Sequence, residues 1–317
     1  MGEAFEHVPV LLAEAVEWLT PALSDSGPLV DCTVGGGGHS EAFLQALPEL
    51  MVVGIDRDSE ALEAAAARLR RFGDRVSLLK SNFAQIADVL RELGHEQVGA
   101  FLYDLGVSSP QLGRPGRGFG YRPGFALDMR MDQSSATKAA DIVNNYSETE
   151  LSDIIFRYGE ERFARRISHA IVQRRAAKSF TDAGDLAEVV KAAIPAATRR
   201  TGPHPARRTF QALRIETNQE LQSLEGSLES SVDLLRPEGR IAVMSYHSLE
   251  DRIVKHAFRE AAQGCICPRD VPVCVCNHRA KLKVLTPRAI RPEEHELAVN
   301  PRAGSARMRV AMKLEAA

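Results

Sequence analysis

Three carboxylates and a run of glycines hold the chemistry of the first hundred residues. Asp31 lies in the apolar run "PLVDCTV" (28–34), four residues ahead of Gly35. Asp56 falls near the end of a second run, "MVVGIDRD" (51–58), and Asp104 near the end of a later one, "GAFLYDLG" (99–106). Glycines 35–38 separate the first run from residues 40–47, whose apolar positions have helical spacing. Glycine lacks a Cβ and reaches φ > 0, so four in a row are costly unless something approaches the backbone. Strand–glycine loop–helix corners take phosphates, dinucleotides or another nucleoside cofactor.

The flanking residues narrow that choice. A phosphate-binding P-loop ends in Gly-Lys-Ser/Thr, whereas Gly38 is followed by His39 and Ser40. A dinucleotide fingerprint would use Gly35 and Gly37 and then place Ser40 where the third glycine belongs. Asp56, at the end of the second strand, is placed to bind ribose hydroxyls, which both NAD and S-adenosylmethionine carry. Asp31 separates the two. Beside a pyrophosphate its carboxylate would repel; beside an ammonium and a sulfonium it attracts. Phe83, past the third strand, is placed to pack on an adenine face. Asp104 lies where open α/β sheets bind ligands. Plainer roles stay open, Asp56 as a helix N-cap and Phe83 as a core residue.

The elements that must position these groups alternate. Helical patterns at 11–19, 40–47 and 59–71 interleave with strands at 28–34, 51–58, 75–83 and 99–106, which predicts a parallel sheet covered on both faces. The pattern breaks at "GRPGRGFGYRPG" (113–124). Helices without strands follow, one opening on a Ser147/Glu150 capping box. The α/β pattern resumes at 216, with a strand "IAVMSYH" (241–247) after the turn "RPEGR", a helix over 249–262, and "KLKVLT" and "ARMRVAMKL" to complete the sheet. A discontinuous domain, 1–112 with 216–317, is therefore expected around an inserted helical domain, 113–215.

Charge follows the same division. Residues 113–215 carry 18 Lys and Arg against 11 Asp and Glu, net +7, while the whole chain of 317 residues is at −2. A basic, Arg-rich insertion suits nucleic acid, and a solvated set of helix faces is the plainer account. No apolar span is long enough for a membrane helix. The opening "MGEAFEHVPVLLAEAVEWL" has no basic start, and Glu14 and Glu17 interrupt it, so it does not read as a signal peptide. Five cysteines, four of them in "CICPRDVPVCVC", are no disulfide framework, and a cytoplasmic protein is expected. Cys265, Cys267, Cys274 and Cys276 form two C-x-C pairs that could hold zinc tetrahedrally, though more tightly spaced than the usual knuckle. Reduced cysteines in a surface loop are the alternative.

Nine blocks together resemble one family. They are "HVPVLL" (7–12), "VGGGGHS" (34–40), "GIDRD" (54–58), "DLGVSSPQL" (104–112), "LDMRMD" (127–132), "YGEERFARRI" (158–167), "HPARRTFQALRI" (204–215), "SYHSLEDRIVK" (245–255) and "NPRAGSARMRV" (300–310). The sequence resembles the MraW family of bacterial 16S ribosomal RNA cytosine-N4 methyltransferases over nearly its whole length. The resemblance implies an α/β class I S-adenosylmethionine-dependent methyltransferase fold, Rossmann-like, with an inserted small all-α domain that helps recognise RNA. It implies cofactor contacts at Gly37, Gly38, His39, Asp56, Phe83, Asp104 and Gln111. It implies methylation at N4 of one cytidine in the decoding (P-site) region, with 16S rRNA in the small ribosomal subunit as partner and neither membrane nor DNA involved.

The lone pair of a cytosine amine is delocalised into the ring, so an acceptor must draw on the N–H bonds and align the nitrogen. "SSPQ" (108–111) has one proline and no aromatic, unlike the motif of DNA amino-methyltransferases. Ser109 with its neighbouring carbonyls is the first candidate acceptor and Asp104 the second. His247 is a candidate for the released proton, or else a structural histidine. The target base must be unpaired or flipped. Phe119, Tyr121 and Phe125, among Arg114, Arg117 and Arg122, could clamp it or merely anchor their loop. Arg165, Arg166, Arg174, Arg175, Arg207 and Arg208 are candidate phosphate contacts. Two other classes stay open: a nicotinamide dehydrogenase, and a non-catalytic RNA-binding ribosome assembly factor that keeps the fold.

Overall fold

The computed structural model describes residues 9–23, 27–199, 202–267, 273, 275–276 and 278–315, and of Ser109 the backbone alone. In chain order the first elements are α1 (Leu12–Leu19), β1 (Leu29–Asp31), α2 (Gly38–Ala46), β2 (Val52–Asp56), α3 (Ser59–Leu69), β3 (Val76–Lys80), α4 (Ile86–Glu92) and β4 (Val98–Asp104). Six helices follow: α5 (Ser109–Gly113), α6 (Ala139–Asn145), α7 (Glu148–Gly159), α8 (Ala164–Ala177), α9 (Ala183–Ala193) and α10 (Arg207–Asn218). Then come α11 (Glu220–Leu234), β5 (Leu235–Ser245), α12 (Ser248–Ala261), β6 (Leu282–Val284), α13 (Glu294–Val299) and β7 (Arg307–Lys313).

The chain divides into two compact units. One holds the described residues up to Gly106 and from Leu221 onward; the other runs from Val107 to Glu220. The second is wider than the expected 113–215 for local reasons. Ser108 caps α5 ahead of the Gly/Arg/Pro loop, and α10 runs on until Gln219, at φ 51°, breaks the helix.

In the first unit, seven strands form one sheet in the order β3-β2-β1-β4-β5-β7-β6. The strands from β3 to β5 are parallel, and β7 runs antiparallel to both β5 and β6. This is the α/β, Rossmann-like architecture that the family resemblance implies. β4 is buried along all but its last residue, as a strand covered on both faces must be. Its side chains alternate: Ala100 and Leu102 join the core with Leu29, Val52, Met244 and Met308, whereas Phe101 and Tyr103 join Val30, Val53, Ile55 and Val243. "RPEG" (236–239) forms a bulge inside β5, where Leu235 pairs with Val98 and the ladder resumes at Arg240 opposite Ala100. Glu238 turns it in the left-handed region, at φ 62°.

The second unit is helical, and among its described residues the one β-pairing is a bridge between Ala126 and Asp182. It has its own core, including Leu151, Ile155, Ile167, Leu186, Val190, Phe210 and Leu213. Ser147 caps α7: its Oγ accepts from Glu150 N at 3.2 Å, and its own N–H donates to Glu150 Oε2 at 2.7 Å.

Candidate functional site

The chain runs β1, β2, β3 toward one edge of the sheet, then starts again on the other side of β1 with β4 and β5. The strand order therefore reverses between β1 and β4, and a crevice beyond the carboxyl ends of such strands is where open α/β sheets bind ligands. Asp31, Asp56 and Asp104 are the last residues of β1, β2 and β4. The sheet thus brings three carboxylates to one end, beside the glycine loop.

Each carboxylate is held in place. Asp31 is buried; its Oδ2 accepts from Ser40 Oγ at 2.7 Å and its Oδ1 from Thr33 N at 3.3 Å, which ties β1 to the first turn of α2. Burial pushes its carboxyl upward in pKa, opposed by the His39 ring and the Ser40 hydroxyl. Asp56 Oδ2 accepts from Gly35 N at 3.0 Å and Oδ1 from Asp58 N at 2.9 Å. Burial raises it to about 6 in spite of those two bonds. Asp58, and not Asp56, is the N-cap of α3. Asp104 Oδ1 accepts from Tyr246 Oη at 2.5 Å, and Asp104 N donates to Thr33 Oγ1 at 2.7 Å. His39 donates from Nε2 to Val10 O at 3.0 Å, which leaves Nδ1 facing Asp104 Oδ2 at 3.8 Å. Among the described residues no Lys or Arg pairs with any of the three carboxylates.

The glycines have two kinds of work. Gly35 and Gly37 take φ 52° and 79°, which lets the loop turn and present Gly35 N–H to Asp56. Gly38 is packed from within the protein: a Cβ there would lie 2.6 Å from Pro9 Cγ. Phe83 is partly buried and sits edge-on to Tyr103, with ring centroids 5.7 Å apart.

Two proposed roles change. His247 is the N-cap of α12: its Nδ1 accepts from Glu250 N at 3.3 Å, and Glu250 Oε2 accepts from His247 N at 3.2 Å. Nδ1 is thereby engaged in the cap, and Nε2 lies 3.2 Å from Glu250 Oε1, so both ring nitrogens are turned to Glu250. The structure thus corrects its candidacy as proton acceptor. In the second unit, Arg117 and Phe119 are buried, at 3 % and 7 % exposure. Arg117 Nη2 donates to Arg130 O and Met131 O at 3.2 and 3.0 Å, so it braces the loop and has no reach to a phosphate. Phe119 belongs to the helical core and presents no face to a base.

The other expected residues of that unit lie as follows. Tyr121 is stacked on His204 at 4.5 Å and edge-on to Phe210, so it too anchors the loop. Arg175 binds Val143 O and Tyr146 O at 2.6 Å each, and Arg174 binds Lys178 O at 2.9 Å. Arg114, Arg165, Arg166, Arg207 and Arg208 are exposed, Arg208 donating to Glu160 O at 3.0 Å. Gln111 is buried and closes the cap of α5, its Oε1 accepting from Ser108 N at 3.0 Å. The side chain of Ser109 lies outside the described residues, as does Cys274.

The model of the MraW methylase family matches residues 4–314. The chain belongs to that family. Among its relatives, ribosomal RNA small subunit methyltransferase H of Carboxydothermus hydrogenoformans is 51% identical over 98% of this chain and 98% of its own length. The proteins of that name from Heliobacterium mobile and Mycobacterium avium are 49% and 50% identical, each over 98% of this chain and over 99% and 83% of their own lengths. Three residues that hold the strand-end carboxylates were not foreseen from the sequence: Thr33, Ser40 and Tyr246. Tyr246 follows β5, the neighbour of β4, and a polar group at that point of the next strand end was the available signal. Among the described residues no helix is long and apolar enough to cross a membrane.

Proposed function

We propose that the chain transfers the methyl group of S-adenosylmethionine to N4 of one cytidine in the decoding (P-site) region of 16S ribosomal RNA, in the small ribosomal subunit and in the cytoplasm. One observation carries the reading. Three carboxylates close β1, β2 and β4 around a glycine loop, with no Lys or Arg paired to them among the described residues. Such an end repels a pyrophosphate and attracts a ligand bearing an ammonium and a sulfonium. Ribosomal RNA as acceptor is supported by the names of the relatives, and N4 of cytosine by the family resemblance.

The donor set fits the cofactor. Asp56 takes one backbone N–H on each oxygen, so each keeps a lone pair for a ribose hydroxyl. Phe83 offers its ring to the adenine. The backbone of Gly37, Gly38 and His39 supplies further contacts, and the family resemblance adds Gln111. S-adenosylmethionine brings a methyl made electrophilic by its sulfonium. Asp104, fixed by Tyr246 and Thr33, orients the methionine end. Ser109 and the neighbouring carbonyls accept from the cytosine amine and align it. The methylated nitrogen is strongly acidic and loses its proton to water, so no dedicated base is needed.

Titration calorimetry tests the cofactor. S-adenosylhomocysteine is expected to bind and NADH to be inert. Binding of NADH without S-adenosylhomocysteine would overturn the reading. N4-methylcytidine is the expected product in treated small subunits.

A further inference from the structure

Three described cysteines between α12 and β6 take no part in the strand-end site, yet they lie together. The sulfurs of Cys265, Cys267 and Cys276 lie within 4.8 Å of one another. Cys265 Sγ and Cys276 Sγ are 3.8 Å apart, although eleven residues separate them in the chain. A disulfide would hold the two sulfurs at about 2.05 Å. A tetrahedron with metal–sulfur arms of about 2.3 Å has sulfur–sulfur edges of about 3.8 Å. Val275 N–H points at Cys267 Sγ at 3.5 Å, as a backbone donor supporting a thiolate does.

Hydrophobic burial does not explain the gathering. Ile266, Val273 and Val275 turn outward, at 56%, 70% and 75% exposure. The base of the loop is closed by Lys281 N donating to Ala261 O at 2.7 Å and Lys281 Nζ to Asp233 at 2.7 Å. Beyond that base, three sulfurs converge, and among the described residues no buried apolar side chain of the loop surrounds them. Ordering such a loop costs conformational entropy that a metal cross-link can offset.

We propose that Cys265, Cys267 and Cys276 bind one Zn²⁺ ion as thiolates, forming a structural metal site separate from methyl transfer. Zn²⁺ suits the set because thiolates are soft ligands and the Cys265–Cys276 sulfur pair stands at the edge length of a zinc–thiolate tetrahedron. Binding releases the thiol protons to solvent, and no electron moves.

The test uses the full chain, purified under reducing conditions without chelator or metal-affinity resin. Elemental analysis is expected to find about one zinc per chain, and Cys265→Ser/Cys276→Ser to lose it while still binding S-adenosylhomocysteine. Should that variant fail to fold, cobalt replacement in the wild type decides: a thiolate-to-cobalt charge-transfer band is expected. Chelation should expose the loop to protease and leave the cofactor affinity unchanged. Zinc far below one per chain, iron in its place, a Cys265–Cys276 disulfide, or cobalt without the charge-transfer band would each overturn the proposal.

Discussion

The hydroxyl of Tyr246 donates to Asp104 Oδ1 at 2.5 Å, joining the ends of two adjacent strands, β5 and β4. Burial and the nearby Asp104 and Glu250 carboxylates hold the Tyr246 phenol well above its ordinary pKa, so it remains a donor at any working pH. Hydrogen bonds to charged groups contribute about 1.5–3 kcal/mol. Tyr246→Phe is therefore expected to lower kcat/KM by about ten- to hundredfold while leaving the fold intact. Steady-state kinetics beside a thermal melt checks it; unchanged kinetics would remove Tyr246 from the site.

Asp56 makes cofactor binding dependent on pH. Its ligand-free carboxyl is pushed up to about 6 by burial, and only the ionised form can accept on both oxygens from a ribose. Affinity for S-adenosylhomocysteine should be flat above about pH 7 and fall about tenfold per unit well below 6. Asp56→Asn should bind weakly at every pH, without that inflection. Calorimetry from pH 5 to pH 8 reads both, and a wild-type curve that does not bend near 6 would contradict the role given to Asp56.

His247 separates a helix cap from a base. As an N-cap, it can be replaced by Asn with little effect, whereas His247→Ala should cost about 1 kcal/mol of stability. Turnover per folded molecule should survive in both. A base would instead show a hundredfold or larger loss of kcat in the Asn variant at unchanged stability.

The exposed arginines should act through charge. Arg207→Gln/Arg208→Gln is expected to weaken binding to 16S rRNA across sequences and to lower the slope of log affinity against log salt by about 0.7–0.9 per lost phosphate contact. Arg117→Ala should instead destabilise the helical unit, because it removes the brace to Arg130 O and Met131 O. Equal salt slopes for wild type and the double variant would remove Arg207 and Arg208 from the interface.

Much of the sheet was legible because β1, β2 and β4 are short apolar runs: Asp56 and Asp104 fall near the expected strand ends, whereas β1 closes at Asp31, short of the expected 34. The capping box at Ser147 was equally plain, since it depends on residues three apart. Features set by packing were not legible. An arginine in a Gly/Arg/Pro loop looks like a phosphate ligand until burial shows Arg117 serving two carbonyls. Gly38 looks like room for a ligand, but Pro9 fills that room. His247 has the composition of a base and the geometry of a cap, and only the hydrogen bond from Glu250 N distinguishes them. Tyr246 escaped notice because its partner, Asp104, is 142 residues away in the chain and adjacent only in the sheet.

Methyl transfer to a cytosine amine of the small subunit leaves a labelled nucleoside. The direct measurement is nucleoside mass spectrometry after incubating the protein and methyl-labelled S-adenosylmethionine with small subunits from cells lacking this enzyme, and with naked 16S rRNA in parallel. Labelled N4-methylcytidine on the subunits is the predicted result. Bound cofactor with no labelled nucleoside on either RNA would contradict it, leaving a protein that binds RNA and cofactor without catalysing the transfer.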